Sequence, residues 1–279
     1  MGDFSKSFTE PQKILELIVE NSVTIEKGES IIISPNGLLN SKKKRRKINN
    51  EVLFGYYSDL SQIDEIDYEL APNPIMQNTG FDNNSFRYNE KNEGVYFCIY
   101  YKFDCQKYFI KDYEKGYGTF IKIENEYKIK DNSLFNIGDS YLVFTFYNNQ
   151  NNNNNNNDNN NNNDEDNYNQ NYNNICLKAY SGSITYEPIF FKYDFNKEIT
   201  IGRSENSNVV IKDKMLSRVH CILFYEENKG WLIKDGNEMN QPSTNGTWVF
   251  AYDEYEIYDE MIFKSNSNLF SCHLRNISN

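Results

Sequence analysis

The chain has 279 residues, among them 22 Tyr and 19 Phe, and carries a formal net charge of −11 at pH 7. Its length suffices for one large domain or two of ordinary size. The acidity argues against non-specific binding to nucleic acid or anionic membranes, which needs positive potential, but leaves room for one small basic site.

The opening residues carry a helix signature. Thr9 and Gln12 fit a capping box, and Ile14, Leu15 and Ile18 would share one helical face. This predicts an N-terminal helix or extension over residues 1–27. Met1 to Glu10 lacks the apolar core of a secretion signal, and Lys6 breaks the myristoylation pattern after Gly2. Ile31 to Ile33 then begins a strand that turns at Pro35-Asn36-Gly37. The basic run Lys42 to Lys47 fits a nuclear localisation signal, an anion-binding loop or a solvated hairpin loop. An intracellular protein is expected, nuclear if the run is a localisation signal and cytoplasmic otherwise.

Short strands with turn residues between them follow: Val95 to Tyr101, Lys107 to Ile110, Phe120 to Ile123 and Tyr141 to Phe146. Residues 148–174 are nearly all Asn and have almost nothing to bury, so a disordered linker is expected there. Strands resume at Ile175 to Ala179, Ile189 to Tyr193, Ile199 to Ile201, Val209 to Ile211, Val219 to Tyr225, Trp231 to Lys234, Trp248 to Phe250 and Leu269 to Leu274. Many short, aromatic and β-branched strands predict an all-β chain of sandwich type. Five Cys (98, 105, 176, 221 and 272) show neither a disulfide framework nor zinc-site spacing, so reduced thiols and no metal are expected.

An internal repeat stands out. Cys98-Ile99-Tyr100-Tyr101 and Tyr108 to Asp112 recur at an offset of 123 as Cys221-Ile222-Leu223-Phe224 and Trp231 to Asp235. Gly118-Thr119-Phe120 matches Gly246-Thr247-Trp248, and Gly55 matches Gly202. Two copies of one fold follow, over residues 28–147 and 175–279, on either side of the Asn tract.

The second copy holds Gly202-Arg203-Ser204 at a strand end, then Ser217-Arg218-Val219-His220 and Ser243-Thr244-Asn245-Gly246-Thr247-Trp248 in turns before strands. Loops on one end of a rigid sandwich can converge on a ligand. Arg presents a planar fork of donors suited to phosphate, and hydroxyls and exposed N–H groups complete such a site. Ser217 and His220 could also be read as nucleophile and base, but no strand–elbow motif supports catalysis, and there is no phosphate-cradling or kinase motif. Asp112 and Asp235 read as turn formers.

These motifs, in this order and with strands between them, resemble the forkhead-associated (FHA) domain family over about 175–275, with a fainter, degenerate resemblance over about 28–147. The resemblance implies two FHA-like β-sandwiches. It also implies a phosphothreonine-peptide-binding module that acts in phosphorylation-dependent protein–protein interaction, without enzyme activity or cofactor. By position, Arg203 and Ser217 would contact phosphate, Arg218 phosphate or peptide, and Asn245 the peptide backbone, with Thr244 in support. Gly202, His220 and Gly246 would shape the loops. In the first copy Tyr56 stands for Arg203, Gly94 for Ser217, Phe97 for His220 and Tyr117 for Asn245, beside acidic residues such as Asp59, Glu65 and Asp67. That copy is expected to have lost phosphate binding. The rival expectation is a phosphate-independent scaffold that uses both sandwiches.

Overall fold

The computed structural model describes residues 13–22, 25–39, 51–57, 59, 61–62, 65–70, 93–147, 174–194 and 197–276. Thr9, Gln12, the Lys42 to Lys47 run and residues 148–173 of the Asn tract lie outside these. The described residues form an all-β structure with no α-helix.

Eleven strands precede the tract: β1 Lys13–Asn21, β2 Ser30–Ser34, β3 Gly37–Leu38, β4 Val52–Tyr56, β5 Tyr68–Glu69, β6 Gly94–Lys102, β7 Lys107–Asp112, β8 Thr119–Lys122, β9 Tyr127–Lys128, β10 Ser133–Ile137 and β11 Ser140–Tyr147. Eleven follow it: β12 Asn174–Ser181, β13 Ile184–Thr185, β14 Ile189–Lys192, β15 Ile199–Gly202, β16 Val209–Val210, β17 Cys221–Glu226, β18 Gly230–Asp235, β19 Thr247–Phe250, β20 Tyr255–Glu256, β21 Ile262–Ser265 and β22 Asn268–Asn276.

The expected N-terminal helix is corrected to a strand. In Lys13–Asn21 the residues Leu15, Leu17 and Val19 are fully buried and alternate with Ile14, Glu16, Ile18 and Glu20, a period of two. Strand β1 pairs antiparallel with β2 on one side and β22 on the other. Two flanking ladders satisfy its backbone groups, which overrides the local helical pattern.

The chain divides into two compact units, and the division does not fall at the Asn tract. Unit 1 comprises residues 1–122 and 250–279, and unit 2 comprises 123–249. In unit 2 one sheet runs β16-β15-β17-β18-β9, and the other holds β12 between β11 and the β13 and β14 pairings, with β10 joining β11 to β19. In unit 1 one sheet runs β20-β7-β6-β4-β5, and the other runs β8-β21-β22-β1-β2-β3.

Each repeat therefore lends its last three strands to the unit built on the other. The registers agree residue for residue. Tyr127 faces Ile233 in unit 2, and Tyr255 faces Ile110 in unit 1. Phe135 faces Val249, and Phe263 faces Ile121. Both cores use the lent strands. Phe97 of the first repeat meets Phe263 of the second edge-on at 5.4 Å, and Phe263 stacks on Phe270 at 4.9 Å. These rings are fully buried, each worth about 1.5–3 kcal/mol of transfer free energy. All five cysteines are free; Cys105 alone is exposed, and burial pushes the Cys221 and Cys272 thiols well above their ordinary pKa.

The repeat alignment also needs one adjustment. Phe97 faces Asp112 across the β6–β7 hairpin, and Cys221 faces Asp235 across β17–β18. Phe97 is thus the counterpart of Cys221, one residue away from the sequence match. The β6–β7 turn spans residues 103–106, whereas the β17–β18 turn spans 227–229, so the offset is 124 before the turn and 123 after it.

Candidate phosphopeptide site

Three loops of unit 2 meet at one end of its sandwich. The first leaves β15 at Gly202. A Cβ there would stand 2.2 Å from the Arg218 carbonyl oxygen, so only glycine lets the β15 and β17 entry segments touch. The contact is sealed by backbone bonds: Arg203 N–H donates to Ser217 O at 3.2 Å and Ser204 N–H to Arg218 O at 3.1 Å. The Ser207 hydroxyl adds a bond to Arg218 O at 3.0 Å.

The second loop, 213–219, joins the third, 243–246, through side chains. Thr244 N–H donates to Ser217 Oγ at 3.0 Å, and the two hydroxyl oxygens lie 3.3 Å apart. Asn245 Nδ2 donates to Met215 O at 2.7 Å. Arg203, Arg218 and Thr244 are exposed, while Ser217 and Asn245 are half-buried. No described carboxylate pairs with Arg203 or Arg218. The Arg203 backbone thus meets the loop of Ser217 and Arg218, which is joined to the Thr244 and Asn245 loop.

Beneath it lies a buried polar network. Ser217 N–H donates to His220 Nδ1 at 3.2 Å, which leaves the proton on Nε2 facing Gly246 O at 3.0 Å. His220 is fully buried, and burial holds its pKa below the ordinary value. Asp235 orders the third loop: it accepts from Ser243 N–H at 2.9 Å, Ser243 Oγ at 2.7 Å and Thr247 Oγ1 at 2.7 Å. Gly246 N–H donates to Ser243 Oγ, and Trp248 Nε1 to Asn245 O. Asp235, expected as a turn former, and Ser243 and Trp248, expected only as part of a turn and strand, are the residues that organise this loop. The spacing of Asp235 to Ser243 and Thr247 was the signal available. His220 is wedged between backbone groups and has no general-base geometry toward Ser217, whose Oγ meets Thr244 instead.

All eight residues singled out in the second repeat, Gly202, Arg203, Ser217, Arg218, His220, Thr244, Asn245 and Gly246, are brought together in unit 2. The corresponding end of unit 1 differs. Gly55 plays the part of Gly202, with its missing Cβ 2.2 Å from Gly94 O and 2.9 Å from Val95 Cα. Gly94 therefore stands for Arg218, not for Ser217. Glu93 stands for Ser217, and the buried Tyr96 stands for His220 in place of Phe97. The one-residue shift in the β6–β7 turn accounts for both corrections. Burial pushes the Tyr96 pKa well up, and the charges of Tyr56, Glu93 and Tyr117 add to it. An acid and three phenols occupy the positions of Arg203, Ser217, His220 and Asn245.

Residues 199–263 match the family model described as the FHA domain. No curated protein matches the chain. Among solved structures, the chain is similar to the Slr1951 protein from Synechocystis sp., with 22% identity over 33% of this chain and 86% of that one, at a TM-score of 0.21. It is also similar to the FHA-1 domain of Rv1747 from Mycobacterium tuberculosis, with 17% identity over 32% and 88% of the two chains and a TM-score of 0.19. A third, from a structural and functional analysis of phosphothreonine-dependent FHA domain interactions, shows 15% identity over 31% and 83%, at a TM-score of 0.16. The order of motifs, the convergent loops and the match at 199–263 identify this chain as the carrier of an FHA domain.

Proposed function

We propose that unit 2 binds phosphothreonine peptides through Arg203, Ser217, Arg218, Thr244 and Asn245, and that the protein acts as a phosphorylation-dependent adaptor. FHA domains are interaction modules. The observation that carries the assignment to these residues is the Ser217 hydroxyl, which accepts the Thr244 N–H while the Arg203 backbone is bonded to Ser217 O. A phosphate carries about −1.5 to −2 charges near neutral pH and seeks charged donors, hydroxyls and N–H groups. Arg203 and Arg218 supply charge that no described carboxylate neutralises. Asn245, with its amide tied to Met215, keeps its side chain at the rim where a peptide backbone would run. The Glu93, Tyr96 and Tyr117 set favours no phosphate in unit 1, so the reading assigns one site per chain.

The test is selection on an oriented phosphothreonine peptide library with the unphosphorylated library as control. Enrichment from the phosphorylated library alone supports the reading. Equal capture from both would replace it with a phosphate-independent scaffold.

A further inference from the structure

The loop that carries Ser217 and Arg218 is held from below by the first repeat. The β10–β11 turn, Ile137–Ser140, belongs to the sequence before the Asn tract, yet it closes unit 2. The Asp213 carboxylate accepts two bonds from it: Asp139 N–H at 2.9 Å and the Ser140 hydroxyl at 2.7 Å, both to Oδ2. Its other oxygen accepts Met215 N–H at 2.8 Å, and Asp213 O accepts Leu216 N–H at 3.2 Å. Met215 O in turn receives the Asn245 amide at 2.7 Å. Ser140, Asp213, Met215 and Asn245 form one continuous chain of hydrogen bonds from the turn to the candidate peptide surface. Ser140 is fully buried and Asp213 nearly so, which strengthens bonds to the carboxylate.

The fit is specific to the first repeat's turn. Gly138 has φ +54°, and a Cβ there would lie 2.9 Å from Met215 Cβ and 3.0 Å from Asp213 Oδ2. The counterpart turn of the second repeat reads Ser265-Asn266-Ser267-Asn268, with Asn266 at φ 54° in the place of Gly138. In its own unit that asparagine serves a different loop: its Oδ1 accepts Tyr117 N–H at 2.8 Å. If the second repeat closed on itself, the Asn266 Cβ would enter the space that Met215 and Asp213 fill, and Asn268 would replace the Ser140 hydroxyl.

We infer that phosphopeptide reading by the second repeat requires the first repeat's Gly138-Asp139-Ser140 turn, with Ser140 and Asp213 as positioning residues for the Ser217 loop. This rests on the phosphopeptide reading above. It gives the first repeat a role although its own loops lack a phosphate site.

Two experiments on the full chain test it. In the first, a protease site is placed between residues 150 and 170 and the purified protein is cut. The two pieces are expected to co-elute on native size exclusion and to bind a library-selected phosphothreonine peptide as the uncut chain does. Separation of the pieces, with the C-terminal piece alone binding at full affinity, would overturn the inference. In the second, Ser140→Ala is expected to weaken peptide binding about tenfold at a temperature where circular dichroism shows it fully folded. In an Asp213→Ala background it should have no further effect. A lowered melting temperature with unchanged affinity would reduce Ser140 to a structural residue and contradict the proposal. Failure of the uncut wild-type chain to bind any phosphothreonine peptide would instead defeat the reading on which the inference rests, and co-elution would still report the strand exchange.

Discussion

Ser217 Oγ lies 3.0 Å from Thr244 N, a bond between loops 27 residues apart that fixes the hydroxyl's position before any ligand arrives. A pre-positioned acceptor that is also a donor suits an incoming oxyanion, because no side-chain entropy remains to be lost on binding. Ser217→Ala removes this atom from a half-buried site at the end of the sheet. Phosphothreonine-peptide affinity is expected to fall about tenfold or more, with a change in unfolding free energy below about 1 kcal/mol. Calorimetric titration together with urea unfolding measures both.

Gly202 and Gly55 perform the same backbone task in the two units, so they separate stability from recognition. Alanine at either position would place a Cβ about 2.2 Å from a backbone carbonyl oxygen and should destabilise by ~1–3 kcal/mol. Gly202→Ala should also weaken phosphopeptide binding, because the two segments it would push apart lead to Arg203 and carry Arg218. Gly55→Ala should leave the affinity of the folded protein unchanged. Affinities measured at a temperature where each variant is folded decide the matter.

Buried His220 makes unit 2 sensitive to acid. Burial depresses its folded pKa, so between the folded value and the ordinary one near 6.5 the unfolded chain binds the proton and the folded chain does not. The His220 contribution is fully present above about pH 6.5 and is lost as the pH falls toward the folded value, at up to about 1.4 kcal/mol per pH unit. Urea unfolding of wild type between about pH 7.5 and about pH 5 should show this loss. His220→Gln should be less stable at neutral pH and should show a shallower slope over the same interval.

Glu93, Tyr96 and Tyr117 stand in unit 1 at the places of Ser217, His220 and Asn245, so the proposed phosphate site has an acid there in place of the Ser217 hydroxyl. Titration of the full chain with a selected phosphothreonine peptide should therefore saturate at one equivalent. A second equivalent of comparable affinity would show that unit 1 also binds.

The three converging loops were legible in the sequence because each motif is local. Gly202-Arg203, Ser217-Arg218 and Thr244-Asn245 need only a turn and a strand on either side to present their side chains. The first strand was not legible, because Ile14, Leu15 and Ile18 satisfy a helical face as well as Leu15, Leu17 and Val19 satisfy a pleated one. Only the flanking strands β2 and β22 decide between them. The repeat offset was read as 123, since Cys98 and Cys221 coincide by type; the extra residue in the 103–106 turn cannot be located without the ladder. The strand exchange was hidden for a deeper reason. Tyr127 and Tyr255 fit Ile233 and Ile110 in the same register, so hydrophobic pattern alone does not say which repeat receives which closing strands. The one local mark of the choice is Gly138, whose counterpart is Asn266.

The central claim is that Arg203 and its neighbours form a phosphate-reading surface. The most direct measurement is isothermal titration of wild type and Arg203→Ala with one selected phosphothreonine peptide. Loss of charge-assisted hydrogen bonds should weaken binding by ~1.5–3 kcal/mol, or roughly tenfold to a hundredfold, with wild-type binding abolished by dephosphorylating the peptide. Equal affinity of the two proteins for that peptide would contradict the account.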